Sequence, residues 1–131
     1  MQKTMSNIEF LNIDLDIESN DNIQLLVEEL GKRLTVMNNN EIKKVHYASF
    51  ETSYSEENEI INEYVSIISA LSSDSKSLWN NCIKRVFNIG YESGKEPSSY
   101  ESRINENSVK ALAEINGSIY ITIYPETYES A

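Results

Sequence analysis

The feature that most constrains the fold is a regular alternation of apolar and polar residues close to the start of the sequence. Over residues 11–18, leucine or isoleucine stands at every odd position, and Asn12, Asp14, Asp16 and Glu18 stand at the even ones. Successive side chains of a β-strand point to opposite faces of the sheet. The pattern therefore predicts a strand with one buried face and one solvated face.

The rest of the chain alternates between helix-like and strand-like patterns. Apolar residues recur three to four positions apart where helices are expected, and at every second position where strands are expected. The predicted helices cover 23–30, 56–71, 78–86 and 107–115, and the predicted strands cover 8–17, 34–37, 42–53, 87–91, 100–104 and 119–123. This order, β-α-β-β-α-α-β-β-α-β, predicts an α+β fold: a two-layer sandwich whose sheet is mainly antiparallel or mixed, with helices on one face.

Two local signals define connections within this order. The run Asn38-Asn39-Asn40 predicts the tight turn of a β-hairpin, because asparagine tolerates positive φ. Ser55 is expected to cap the second helix, since serine commonly occupies the N-cap and acidic residues follow it directly.

Chain length and residue composition limit the number of domains and the kinds of site that the chain can form. At 131 residues the chain is expected to form a single domain, with an ordered core over about 7–125 and a frayed tail over 126–131. The single cysteine excludes an internal disulfide framework and a Cys-rich zinc site. No apolar run approaches the ~20 residues of a membrane span, and the first residues lack the pattern of a signal peptide. We therefore expect a cytoplasmic protein that does not bind membranes.

The charge balance narrows the class of partner. There are 21 Asp and Glu against 11 Lys and Arg, which gives a formal net charge of −10. Such a surface repels phosphate backbones and anionic lipids and attracts basic proteins. The adjacent basic residues are dispersed along the chain, as Lys32-Arg33, Lys43-Lys44 and Lys84-Arg85. The sequence thus predicts a basic protein partner and no direct contact with nucleic acid.

The residue types needed for catalysis are scarce. His46 is the only histidine and Cys82 the only thiol, and Cys82 falls on the apolar stripe of a predicted helix. The loop around Lys95 lacks the spacing of a phosphate-binding loop, and the D-x-D-x-E row lacks the glycine and later glutamate of a calcium loop. We therefore expect no catalytic residues, no metal and no cofactor, and interpret the chain as a non-enzyme.

A partner-binding surface can be proposed from charge and aromatic residues. The acidic row of the first strand could bind Lys and Arg side chains, and exposed tyrosines beside carboxylates are typical of interfaces. The predicted partner-binding residues are Asp14, Asp16, Glu18, Glu51, Tyr120 and Tyr124. The alternatives are a solvated strand face without a partner for the acidic row, and packing beneath a loop for the tyrosines.

In size, acidity and α+β pattern the chain resembles the small acidic immunity proteins of bacterial contact-dependent and polymorphic toxin systems. Its segments LDIES, RVFNIGYESG and ITIYP are also similar to stretches of small bacterial proteins. The resemblance implies a protein that binds a cognate toxin domain and blocks its active site or partner surface. It assigns no individual residues.

Two other hypotheses stay open at this point. One is an acidic phage or mobile-element inhibitor that mimics nucleic acid, which requires carboxylates spaced like phosphates over a long face. The other is a small-molecule-binding domain or enzyme, which requires a deep pocket with paired carboxylates, or His46 close to Cys82.

Overall fold

The structure, a computed structural model, describes residues 8–53, 56–95 and 99–126. Within these ranges five strands and four helices follow one another along the chain. In order they are β1 (Glu9–Ser19), α1 (Gln24–Leu30), β2 (Thr35–Ile42), β3 (Val45–Glu51), α2 (Glu57–Ser69), α3 (Ser73–Asn80), β4 (Lys84–Glu92), α4 (Glu106–Glu114) and β5 (Ser118–Tyr124). Residue 7 and the expected tail after residue 126 lie outside the described residues.

All five strands belong to one sheet with the order β2-β3-β1-β4-β5. The three contacts among β2, β3, β1 and β4 are antiparallel, whereas β5 runs parallel to β4. The parallel pair is joined by a crossover that contains α4, as parallel connections require. The predicted α+β fold with a mixed sheet is confirmed.

The helices cover one face of this sheet. In β1 the odd-numbered Ile13, Leu15 and Ile17 are buried, as the alternation predicted, and the Tyr64 hydroxyl of α2 donates a 2.7 Å hydrogen bond to the Ile13 carbonyl. Beside them the Phe87 ring of β4 lies 5.3 Å from the Tyr64 ring. All four helices and strands β1, β3 and β4 contribute buried side chains to this core, among them Leu26, Leu30, Phe50, Ile60, Ile68, Trp79, Ile89 and Leu112.

The N-cap of helix α2 lies one residue after the predicted cap. It is Glu56, whose carboxylate accepts a 2.9 Å hydrogen bond from the Glu59 amide, while the Glu59 side chain accepts one from the Glu56 amide. This reciprocal pair satisfies two amides that have no partner inside the helix. The predicted cap, Ser55, lies outside the described residues.

The first hairpin turn was predicted at the wrong place. Asn38-Asn39-Asn40 lie inside β2, and the chain reverses at Lys43 and Lys44, whose φ angles are +52° and +69°. A two-residue hairpin turn of this type requires positive φ at both positions. The two lysines adopt that conformation because the pairing of Ile42 with Val45 leaves only these residues to form the turn.

The strand predicted at 100–104 does not exist, so the observed order has one strand fewer than expected. The segment is instead tied to the start of α2 by side chains. Ser102 Oγ donates to the Glu57 carboxylate at 2.6 Å, and Asn58 bonds the Arg103 carbonyl and the Asn105 amide, each at 2.9 Å. Backbone groups that a strand would offer to a neighbouring strand are thus satisfied by a helix terminus.

The third helix lies earlier in the chain than predicted, over Ser73–Asn80 instead of 78–86. Cys82 lies in the connection that follows it, and Val86 belongs to β4. The Arg85 guanidinium donates to the carbonyls of Trp79 and Cys82, at 3.1 and 2.6 Å. A cation at this position satisfies carbonyls that the helix leaves without partners, which stabilises the early end.

Candidate functional site

The face of the sheet turned away from the helices carries the predicted partner-binding residues. The even-numbered side chains of β1 alternate with its buried residues and are half-buried on this uncovered side, which we call the open face. Strand register carries the same alternation onto β3, β4 and β5. All six predicted residues lie on the open face: Asp14, Asp16, Glu18, Glu51, Tyr120 and Tyr124.

Three of the carboxylates form an acidic centre, defined here as Asp14, Asp16 and Glu51. Asp14 and Asp16 are two residues apart on β1, and Glu51 ends β3, the neighbouring strand. The Asn12 side-chain amide donates to Glu51 at 3.4 Å, and Asn88 of β4 lies opposite Asp14. Pairing of separate strands thus brings Glu51 beside a row that the sequence placed on β1 alone.

Within the acidic centre, the surroundings of Asp14 disfavour its ionisation. Partial burial, together with the nearby charges of Asp16 and Glu51, raises the pKa of Asp14 to about 6 from an ordinary value of 3.8. Loss of hydration and like charges both disfavour the carboxylate form. At neutral pH the fold therefore holds a charge that its surroundings oppose.

Glu18 differs from the acidic centre because it has a cationic neighbour. Lys84 of β4 lies opposite it, with Nζ 3.3 Å from the Glu18 carboxylate. Arg103 likewise pairs with Glu106, and His46 makes a 4.0 Å contact with Glu41. None of these pairs includes a member of the acidic centre.

The two tyrosines lie on β5 at one side of the open face. Tyr120 is 60% exposed and Tyr124 is 47% exposed, so neither packs beneath a loop. Tyr124 lies beside Gly90 of β4, where an added Cβ would be 3.5 Å from the ring. Tyr120 borders a concavity of about 420 Å³ that extends back to Asp16 and Glu18; the rest of its lining is Lys84, Val86, Asn88 and Ser118.

The isoleucines on the other face of β5 are not covered by helices, unlike the apolar residues of β1. Ile121 and Ile123 are 62% and 61% exposed. Helix α4 precedes β5, but its buried residues, Ser108 and Leu112, lie elsewhere in the core. An apolar groove of about 390 Å³ is left at this edge, lined by Ile8, Ile89, Tyr91, Tyr100, Ser102, Ile104, Ile119, Ile121 and Ile123.

The two residues considered for nucleophilic chemistry have separate environments. Cys82 is buried, and its thiol donates to the Leu78 carbonyl at 3.3 Å. Burial raises the pKa of Cys82 to about 11, which keeps it in the unreactive thiol form at neutral pH. His46 lies on β3, where it faces Glu41 of β2.

Several residues of the open face were not singled out from the sequence. Lys84, Asn88 and Thr122 lie among the predicted residues, and the Thr122 hydroxyl donates to the Asn88 side chain at 2.8 Å. The signal for Asn88 was present, since it alternates with Phe87 and Ile89 along β4. Lys84 was missed because residues 78–86 were predicted to form a helix, whereas Lys84 begins β4 and lies opposite Glu18.

Within the described ranges, no group of three or more His, Cys, Asp or Glu side chains is arranged to hold a metal ion. None of the described helices is long and apolar enough to cross a membrane. No protein-family model, curated protein or solved structure matches the chain.

Proposed function

We propose that the chain is an immunity protein that binds a basic bacterial toxin domain through the open face and neutralises it in the cytoplasm. The observation that carries the proposal is the acidic centre, Asp14, Asp16 and Glu51, which forms no ion pair with a cationic side chain of the described residues and lies on the same face as exposed tyrosines. Lysine and arginine side chains of a partner would supply counter-charges to it.

The unfavourable ionisation of Asp14 supports a binding role over a structural one. If the Asp14 carboxylate only made the sheet soluble, its ionisation would be less unfavourable in an exposed position away from like charges. Here burial and two neighbouring carboxylates raise its pKa. A cation bound at the acidic centre relieves this repulsion, so part of the energy stored in the free protein is recovered on binding.

In this mechanism, different residues attract the toxin domain and stabilise the bound complex. The net charge of −10 draws a basic protein toward the surface over a Debye length of ~8 Å at physiological salt. Tyr120 and Tyr124 then supply rigid apolar area next to the carboxylates, as interface hot spots commonly do. The resulting complex associates rapidly and weakens as salt rises.

The test is a binding titration against basic toxin domains, beginning with any that is encoded beside the gene for this chain. The triple variant Asp14→Asn, Asp16→Asn, Glu51→Gln is expected to weaken the complex by ~100-fold or more, since close charge pairs contribute several kcal/mol. The matched control, Glu28→Gln, Asp74→Asn, Glu114→Gln, removes the same net charge from exposed helix positions. It is expected to change the affinity less than ~5-fold, through weaker steering alone.

Equal losses in the two triple variants would show that bulk charge, and not the acidic centre, governs binding. Affinity that ignores salt, or no affinity of the wild-type chain for these toxin domains, would reject the proposal. Proton release gives an independent readout: a bound cation lowers the Asp14 pKa, so binding near pH 6 is expected to release protons. Calorimetry in buffers of different ionisation enthalpy measures the number of protons released.

A further inference from the structure

The outer edge of β5 has the features of a strand that accepts another strand. Its sequence, SIYITIY, contains no charged residue and no proline, and no register shift interrupts its pairing with β4. Proteins usually protect a free edge with a lysine, a proline, a bulge or a covering loop. The described residues place none of these along β5.

The opposite edge of the sheet shows the contrast. Strand β2 carries three consecutive asparagines and Glu41, and a register shift between Val36 and Asn38 interrupts its pairing with β3. Lys43 and Lys44 follow directly in the hairpin turn. These features discourage pairing with another chain at β2, so the two edges are not equivalent.

The backbone of β5 presents an ordered set of free groups at its outer edge. The Tyr124 carbonyl accepts a 2.9 Å hydrogen bond from the Ser93 amide, so the backbone groups of Tyr124 point toward β4. Along a strand these directions alternate from one residue to the next. The amides and carbonyls of Ile119, Ile121 and Ile123 therefore point away from the sheet.

The strand is also complementary to itself when reversed. Antiparallel pairing centred on Ile121 sets Ile119 opposite Ile123 of the second strand and Ile121 opposite itself. These are the residues with outward backbone groups, and each such pair exchanges two N–H···O bonds. On the open face the same register sets Tyr120 opposite Thr122, so apolar residues meet apolar ones and hydroxyl-bearing residues meet each other.

The exposed area at this edge is close to what a reversible dimer needs. At about 200 Å² for each fully exposed large side chain, the edge offers on the order of 600 Å² per copy. A standard interface buries ~800 Å² per partner, and the backbone of the strand and the rim of the apolar groove supply part of the difference. The contributing side chains are Tyr100, Ile119, Tyr120, Ile121, Ile123 and Tyr124.

We propose that β5 pairs antiparallel with β5 of a second copy of this chain, about a two-fold axis at Ile121, to form a continuous ten-stranded sheet. Both helix layers then lie on the same side, and the two apolar grooves join across the axis. The open faces also join, which leaves both acidic centres accessible. The pairing does not depend on the proposed toxin binding.

Engineered cysteines test the register directly. At the two-fold axis the Cα atoms of residue 121 are ~5.5 Å apart, within disulfide reach, whereas those of residue 119 are ~13 Å apart. Under diamide oxidation, Ile121→Cys is expected to form a cross-linked dimer and Ile119→Cys is not. Mixing Ile119→Cys with Ile123→Cys chains is expected to restore the cross-link. Cys82 is buried, and the wild-type chain serves as the background control.

A charged residue introduced where the two β5 strands would pair tests the dimer without a cross-link. Ile121→Lys is expected to weaken dimerisation by at least ~10-fold in sedimentation equilibrium, because an edge lysine opposes strand pairing. The matched control is Ile42→Lys on the other edge strand, where the isoleucine is 56% exposed against 62% for Ile121. It is expected to leave the dimer intact. Circular dichroism of both variants verifies that they fold.

The response to salt separates this association from toxin binding. Each copy carries a net charge of −10, so higher salt is expected to strengthen the dimer while it weakens a complex with a basic toxin. A molecular mass of 15.0 kDa, that of one chain, at every protein concentration would overturn the proposal. A strand of another protein would then be the alternative partner of the β5 edge. Equal cross-linking of residues 119 and 121, or loss of the dimer in Ile42→Lys, would overturn it as well.

Discussion

The two faces of the sheet are made by the same strands but follow opposite physical rules. On the covered face, Phe87 is fully buried, with the rings of Tyr64 and Trp79 centred 5.3 and 6.4 Å away. On the open face, one residue along β4, Asn88 lies opposite Asp14, whose pKa is raised by its neighbours. The covered face lowers the free energy of the fold, whereas the open face retains groups that raise it.

This difference separates the residues that stabilise from those available for binding. Burial of apolar area is the dominant stabilising term. Within β1 and β4, the apolar side chains that are buried in the core stand at odd-numbered positions. The even-numbered positions contribute none of these buried side chains. Charge that is unfavourable in the isolated chain can therefore be kept on the open face without disturbing the core.

The largest contrast between the faces is expected for aromatic truncation. Phe87→Ala leaves a cavity beneath α2 and α3 and should lower the free energy of unfolding by about 3–5 kcal/mol. Tyr120→Ala removes a ring that is 60% exposed and should cost less than about 1 kcal/mol. Urea unfolding followed by Trp79 fluorescence measures both. Comparable losses would mean that Tyr120 stabilises the fold and that the faces are less distinct than their burial indicates.

Replacing a glycine by alanine next to each face compares the two faces with a smaller change than removal of a ring. A Cβ added at Gly117 would lie 2.6 Å from Phe87 Cε2, so Gly117→Ala forces the core ring to move and should destabilise by about 1–3 kcal/mol. At Gly90, on the open face, the nearest atoms to an added Cβ are at 3.5 and 3.6 Å, which is ordinary contact. Gly90→Ala should change stability by less than about 1 kcal/mol. Thermal unfolding of the two variants, under one set of conditions, measures the difference; a Gly90→Ala loss as large as that of Gly117→Ala would contradict it.

The sequence was sufficient wherever a short-range pattern determined the structure. The alternation along β1 predicted the burial of Ile13, Leu15 and Ile17, whereas Leu11, next to the register shift between Phe10 and Asn12, is only half-buried. Within the helix predicted at 56–71, the buried Ile60, Tyr64 and Ile68 recur three to four positions apart, as expected. The same alternation placed Asp14 and Asp16 on one face. These predictions succeeded because strand and helix periodicity are properties of a few neighbouring residues.

Contacts between elements determined what the sequence could not predict. The turn at Lys43 and Lys44 runs against residue preference and follows from the register between β2 and β3. Residues 100–104 alternate like a strand but are held by Glu57 and Asn58 of α2. The exposed isoleucines of β5 depend on where α4 packs. In each case the deciding contact joins residues of different elements, which periodicity within one element does not predict.

The smallest expected effect concerns Asp14, and its sign is diagnostic. The pKa of Asp14 in the folded chain, about 6, lies above its ordinary value of 3.8, so the folded state binds the proton more tightly than the unfolded state. The stability this contributes is fully present below about pH 3.8 and is lost as the pH rises through about 6. Asp14→Asn keeps the neutral shape at every pH. It should therefore stabilise the fold by about 1 kcal/mol at pH 7.5, after allowance for solvent screening of a half-buried group, and by nearly nothing at pH 3.5.

Unfolding titrations of Asp14→Asn and the wild type at these two pH values measure the difference. The control is Glu114→Gln on α4, an exposed acid on the helix side of the molecule, for which no comparable gain at pH 7.5 is expected. A variant that is less stable than the wild type at pH 7.5 would mean that the Asp14 carboxylate has a stabilising partner in the free chain. The acidic centre would then be part of the fold's own stabilisation, and the energetic distinction between the two faces would not extend to it. A gain at pH 7.5 that disappears at pH 3.5 would instead show that ionisation of Asp14 destabilises the free protein. A cation bound at the acidic centre would remove that destabilisation.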